Sequence, residues 1–135
     1  MIVNINPGFV YGGSGTMYFV GDFDGHRFVC DTKPEVVKWL DWGKDHYATV
    51  CFSNTDNRIV AVPWMSNWQY ANYTPIQQFR SANALPRELS LYTGEDKQLY
   101  LSAAPVKETE NLRKDSKKLD DFTVNGEKRD RKSVV

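Results

Sequence analysis

The residues best able to do chemistry lie in a few short stretches. Asp41 stands two residues before Gly43 in Leu40-Asp41-Trp42-Gly43-Lys44-Asp45-His46. A carboxylate there can accept hydrogen bonds from a ligand's hydroxyl groups. It can equally close a turn, because Asp-x-Gly favours turns on its own account. Trp64-Met65-Ser66-Asn67-Trp68-Gln69-Tyr70 puts two indoles and an amide in one run. Aromatic faces pack against sugar rings, and they fill β cores as readily. Asp22 and Asp24 would share one face of a strand, but Asp24-Gly25 reads better as a hairpin turn than as half of a carboxylate pair. Arg87-Glu88 reads as an ion pair or strand-edge pair, worth little if exposed. Cys30 and Cys51, with His26 and His46, match no familiar zinc or redox spacing. No metal and no cofactor are expected, and both cysteines are expected as small buried hydrophobes.

The elements that must position these residues read as short strands. Met17–Phe23 follows the Gly-rich stretch 12–15 and ends at Asp24-Gly25, which predicts a hairpin with His26–Cys30. Val36–Leu40 follows a loop. Tyr47–Phe52 and Arg58–Val62 flank the polar turn Ser53–Asn57, and the second runs through Pro63 into the tryptophan segment. Glu88–Tyr92 and Gln98–Ser102 flank Thr93-Gly94-Glu95-Asp96, a further hairpin. Strands of this length and spacing, with no long amphipathic helix, define an all-β chain. A sandwich, a barrel and a propeller all fit that pattern. From Pro105 to Val135 the sequence turns polar and charged, as a linker or tail does.

With 135 residues, the chain has the length of one ordinary domain. Lys+Arg and Asp+Glu number 17 each, so no global field draws polyanions, and neither nucleic acid nor an anionic membrane is an expected partner. Hydrophobic residues at 41% are enough for a packed core. Four Trp and seven Tyr exceed what a core of this size requires, which keeps a carbohydrate ligand in view. No apolar run approaches the roughly 20 residues of a membrane span. The opening MIVNINPGF lacks the basic and apolar regions of a signal peptide.

Four segments, in order, resemble glycoside hydrolase family 32, the levanases, inulinases and invertases. Trp64–Ala71 is the most specific. Gly13–Gly25 resembles the family's Gly-Ser-x-x-x-Tyr-Phe-x-Gly-x-Phe-Asp-Gly segment, and Leu40–Ala48 resembles its Asp-Tyr-Gly-x-Asp-Phe-Tyr-Ala segment. Phe79–Ala82 with Leu85–Leu91 is similar to its Trp-Arg-x-x-Met-x-x-Pro-Arg-Glu-Leu stretch. The likeness runs from about Ile5 to Leu101. It departs from the family at Val62-Pro63, at His46 where Phe is usual, and at Asn83 where Met is usual. An Asn in an apolar slot needs a hydrogen-bond partner or costs roughly 1–3 kcal/mol.

The resemblance implies about two blades of a five-bladed β-propeller over 1–104, and a polar linker toward a β-sandwich over 105–135. It implies a retaining β-fructofuranosidase or fructan hydrolase as the parent enzyme, with a carboxylate nucleophile and a carboxylic acid flanking the scissile bond. In the family those groups lie in Asn-Asp-Pro-Asn and Glu-Cys segments, with a stabilising Asp in Arg-Asp-Pro. None of the three segments occurs here. The expectation is therefore a fragment without catalytic residues, inactive alone, with a carbohydrate-binding remnant or one subunit of a split propeller as alternatives. By resemblance Asp41 contacts the second sugar of the substrate and Trp64 lines the fructosyl subsite, while Asn67 and Trp68 are weaker candidates for substrate contact. The expected partners are a fructan or sucrose-type carbohydrate, and a second copy or a missing N-terminal piece. An exported parent, periplasmic or extracellular, is implied as well.

Overall fold

The computed structural model describes residues 1–116 and 118. The remainder of the expected linker, residue 117 and residues 119–135, lies outside the described residues. Eight strands follow one another: β1 (Ile2–Ile5), β2 (Gly15–Tyr18), β3 (Gly21–Phe23), β4 (Phe28–Cys30), β5 (Tyr47–Cys51), β6 (Ile59–Trp64), β7 (Arg87–Thr93) and β8 (Leu99–Pro105). Two short 3-10 turns, Ala71–Tyr73 and Lys107–Leu112, complete the described elements. The chain is all-β, with every pairing between neighbouring strands antiparallel. β1 pairs with β2, β3 with β4, and β5-β6-β7-β8 form a four-stranded meander.

Local chemistry explains the turns. Asp24 Oδ1 accepts the N–H groups of His26 and Arg27 at 2.8 and 2.7 Å, so this carboxylate closes the β3–β4 hairpin, as the Asp-Gly signal predicts. Those two N–H groups hold the Asp24 carboxyl below its ordinary range. In the β7–β8 hairpin, Asp96 takes the Tyr100 hydroxyl at 2.7 Å and the Gln98 N–H at 3.1 Å.

Three expectations differ from the structure. The predicted strand Met17–Phe23 is two strands, broken at Phe19-Val20, where the chain leaves the β1 partner and joins the next hairpin. Val36–Leu40 is no strand. It touches β2 through one bridge, Met17 to Trp39, flanked by Tyr18 N–H to Lys38 O and Leu40 N–H to Thr16 O. The cysteines are not buried: Cys51 is exposed and Cys30 half-buried, its sulfur 3.3 Å from the Thr32 hydroxyl. Asn83 raises no burial cost, because it lies exposed beside Trp64 at an isolated bridge.

The core lies between the β2 region and one face of the meander. Tyr18, Val20 and Leu40 meet Ala61 of β6 and Leu89 of β7, with Ile2, Leu101 and Ala103 packed around them. Alternation along paired strands brings Ala61, Leu89 and Ala103 to that face. The chain beyond β8 folds back rather than leaving the sheet. Val106 is buried, and Glu108 forms a bidentate pair with Arg58, which also binds Glu88.

Candidate functional site

One end of the molecule is built from polar side chains that stitch loops together. Asn67 is fully buried (0% exposed). Its Oδ1 accepts the N–H groups of Ser14 and Gln69 at 3.4 and 3.0 Å. Its Nδ2 faces the carbonyls of Gly12, Ser14 and Lys44 at 3.3, 3.2 and 2.9 Å. The amide therefore joins three loops: the Gly-rich 12–15 turn, the 41–46 loop and its own. Gly13 must be glycine for this packing, since its φ is +73° and a Cβ would run into Asn67 Oδ1. Asn67, the weaker candidate for substrate contact, is here a buried link between loops. Its hydrogen-bonding groups are saturated by backbone, and none faces solvent.

Below it, Thr16 and Asn4 extend the same polar seam. The Thr16 hydroxyl lies 2.8 Å from Asn4 Oδ1, 3.0 Å from the Thr49 hydroxyl and 3.3 Å from the His46 carbonyl. Asn4 also pairs with the Thr49 backbone, accepting its N–H at 2.9 Å and donating to its carbonyl at 3.2 Å. β1, β2 and β5 are thereby locked around satisfied polar groups, of which Thr16 and Thr49 are buried.

On this frame Asp41 is held from two sides. Its Oδ1 accepts the Gly43 N–H at 2.6 Å, so the turn role is real. Its Oδ2 lies 2.7 Å from Arg87 Nη1 and 3.7 Å from His46 Nδ1. The first is an ion pair of hydrogen-bond length; the second is too long for a hydrogen bond. The expected Arg87–Glu88 pair does not form: Arg87 takes Asp41 and Glu88 takes Arg58. Neighbours along a strand point to opposite faces, so these two could not meet.

His46 is 3% exposed, and its Nε2 has no hydrogen-bond partner among the described residues. Burial, aided by the Arg87 cation and opposed by the Asp41 carboxylate, pushes the imidazole down to about 4. It is neutral near pH 7. His46 and Arg87 were not singled out for the site, although the departure from Phe at 46 and the period-2 rule at 87 both signalled them.

Beside this carboxylate loop runs an aromatic wall. Tyr47 opposes Trp64 across β5 and β6, with ring centroids 6.2 Å apart. Trp64 is half-buried and lies 5.1 Å from Trp68, which is 49% exposed. The Asn67–Lys44 hydrogen bond ties the loop that carries Asp41 to the loop that follows Trp64 of β6 and carries Trp68. The arrangement offers an anchored carboxylate for hydroxyl groups and indole faces for C–H surfaces. Among the described residues, no three or more His, Cys, Asp or Glu side chains cluster to hold a metal ion, and no helix is long and apolar enough to cross a membrane.

Comparison with known proteins makes the class of this all-β chain specific. Residues 1–103 match the Glycosyl hydrolases family 32 N-terminal domain. The chain belongs to glycoside hydrolase family 32. It is 46% identical over 127 residues to the levanase of Bacillus subtilis (strain 168), covering 92% of this chain and 19% of that protein. It is 40% identical over 133 residues to the invertase of Kluyveromyces lactis, covering 93% of this chain and 22% of the relative. Among solved structures, a fructofuranosidase from Schwanniomyces occidentalis complexed with fructosylnystose aligns at TM-score 0.70 and 43% identity, over 78% of this chain and 21% of that one. An exo-inulinase from Aspergillus awamori aligns at TM-score 0.65 and 38% identity, over 77% and 21%. The chain thus spans about a fifth of the length of these relatives.

Proposed function

We propose that this chain is part of a retaining β-fructofuranosidase or fructan hydrolase, supplying sugar-contact surface but no catalytic carboxylate. It corresponds to about two blades of a five-bladed propeller, with β5–β8 as one complete blade, and leads on toward a β-sandwich. Asp41 accepts hydrogen bonds from sugar hydroxyls, and Trp64 with Trp68 gives the ring an apolar wall. The observation that carries this reading is the Asn67–Lys44 hydrogen bond, which fixes the Asp41 loop against the indole loop. Such fixed geometry, made before a ligand arrives, is what a sugar site needs. Alone, the chain turns over nothing, because the covalent step requires a nucleophile and an acid that its sequence lacks.

Two further readings each have an observation in their favour. The half-exposed Trp68 suits a carbohydrate-binding remnant. The uncovered apolar residues Ile59 and Leu91 suit one subunit of a split propeller. Titration of levan and inulin oligosaccharides, followed by tryptophan fluorescence, tests the sugar wall. The expected result is weak saturable quenching that Trp64→Ala abolishes while the far-UV spectrum stays unchanged. Binding that survives Trp64→Ala would assign Trp64 to the core.

A further inference from the structure

Away from the Asp41 loop, a cleft of about 550 Å³ opens between the segment after β4 and the β7–β8 hairpin. Its size falls within the range of small-molecule sites. Three lysines line it from separate parts of the sequence. Lys33 comes from the loop after β4, Lys38 from the segment bridged to β2, and Lys97 from the β7–β8 turn. Asp31 is the one carboxylate among the lining residues, and Val20, Val36 and Leu99 give apolar wall.

Lys38 separates this cleft from a chance grouping of surface lysines. The residue is only 9% exposed. Its Nζ donates to the Leu99 carbonyl at 2.9 Å and sits 4.3 Å from the centroid of the Tyr100 ring. An ammonium has three N–H donors, so one oxygen partner and a ring face leave capacity for an incoming acceptor. A desolvated cation also needs a counter-charge more than an exposed one does. None of the three lysines forms an ion pair among the described residues. The nearby Asp96, which takes the Tyr100 hydroxyl and the Gln98 N–H, is close enough to feel the Lys38 charge but forms no ion pair with it. In a chain whose formal charges balance, the lining of this cleft is a local positive focus.

We propose that the cleft binds a small phosphomonoester, its phosphate held by Lys33, Lys38 and Lys97 and its body against Val20, Val36 and Leu99. The cleft is far larger than a phosphate group alone requires, which is why a body is assigned. The ligand is distinct from the neutral sugar of the Asp41 wall, and the inference does not rest on that wall.

Equilibrium dialysis of the full chain at low ionic strength tests it, with radiolabelled inorganic phosphate, glucose 6-phosphate and glucose as probes. Saturable binding of both anions is expected, with glucose 6-phosphate the tighter and glucose unbound. The double variant Lys33→Gln/Lys97→Gln changes only exposed side chains and should weaken binding at least tenfold, each lost charge-assisted hydrogen bond being worth about that factor. Lys38→Met, which keeps the buried stem, should weaken it at least as much. Lys107→Gln, outside the cleft, should have no effect. Equal affinity for inorganic phosphate and glucose 6-phosphate would overturn the monoester assignment in favour of free phosphate. Absence of saturable anion binding, full retention in the double variant, or an equal loss in Lys107→Gln would overturn the site itself.

Discussion

Around Asn67 the chain is closed on itself by hydrogen bonds, with Gly12, Ser14, Lys44 and Gln69 all satisfied by one buried amide. Along Phe19, Ile59, Leu91 and Leu101 the same chain presents an apolar groove of about 400 Å³, with Ile59 and Leu91 both more than half exposed. The Asn67 network closes within these residues, although Asp45 Oδ1 and His46 Nε2 nearby find no partner among the described residues; the apolar side does not close. Hydrogen bonds are directional and can be closed locally by loops close in space, whereas burying apolar surface takes a second face of matching area. The proposed sugar wall therefore rests on a locally closed frame, while the groove leaves apolar surface uncovered among the described residues.

The sharpest break of this contrast is Asn67→Leu. It strands several buried backbone groups and should destabilise the chain by about 3 kcal/mol or more. Loss of the cooperative melt is the expected result, and Gly13→Ala should resemble it because its Cβ strikes the same amide. Unchanged melting in both would show that the loops hold without Asn67.

The apolar side predicts association. Exposed strand edges and the open groove should drive the lone chain to oligomerise or bind apolar dyes. Ile59→Lys with Leu91→Lys should shift light-scattering mass toward the monomer. A monomeric parent chain with a sharp melt and no dye binding would show that the groove needs no cover.

A smaller effect concerns pH. The His46 imidazole is depressed from 6.5 to about 4 in the folded chain. The unfolded state therefore binds more protons between these values, and stability should fall as pH drops from about 6.5 to 4, by at most about 3–4 kcal/mol. His46→Phe should flatten that part of the denaturation profile. Arg87→Met removes a cation that lowers the imidazole, so the His46 titration followed by NMR should move upward. A downward movement would contradict the charge arrangement around Asp41.

Much of the fold was legible in the residues. Asp24-Gly25 announced its hairpin, and the spacing of Tyr47–Phe52, Arg58–Val62, Glu88–Tyr92 and Gln98–Ser102 outlined the four-stranded meander. The family was legible from four motifs in order. β1 was not legible, because Ile2–Ile5 is short and its pairing with Gly15–Tyr18 depends on a partner across a loop. Long-range side-chain placement escaped for the same reason. Nothing local in Trp64-Met65-Ser66-Asn67-Trp68 says that the amide turns inward to residues 12–14 and 44, 53 and 23 positions away. Adjacency in the sequence suggests an Arg87–Glu88 pair, but strand alternation points Arg87 away from Glu88 and toward Asp41.

The central claim is that this chain holds sugar-contacting groups without the groups that cleave the bond, and release of fructose measures it most directly. Purified chain incubated with sucrose, inulin or levan should release no fructose above a buffer control, and Asp41→Asn should be indistinguishable from it. Turnover by the parent chain that Asp41→Asn abolishes would contradict the account and place the chemistry on Asp41 itself.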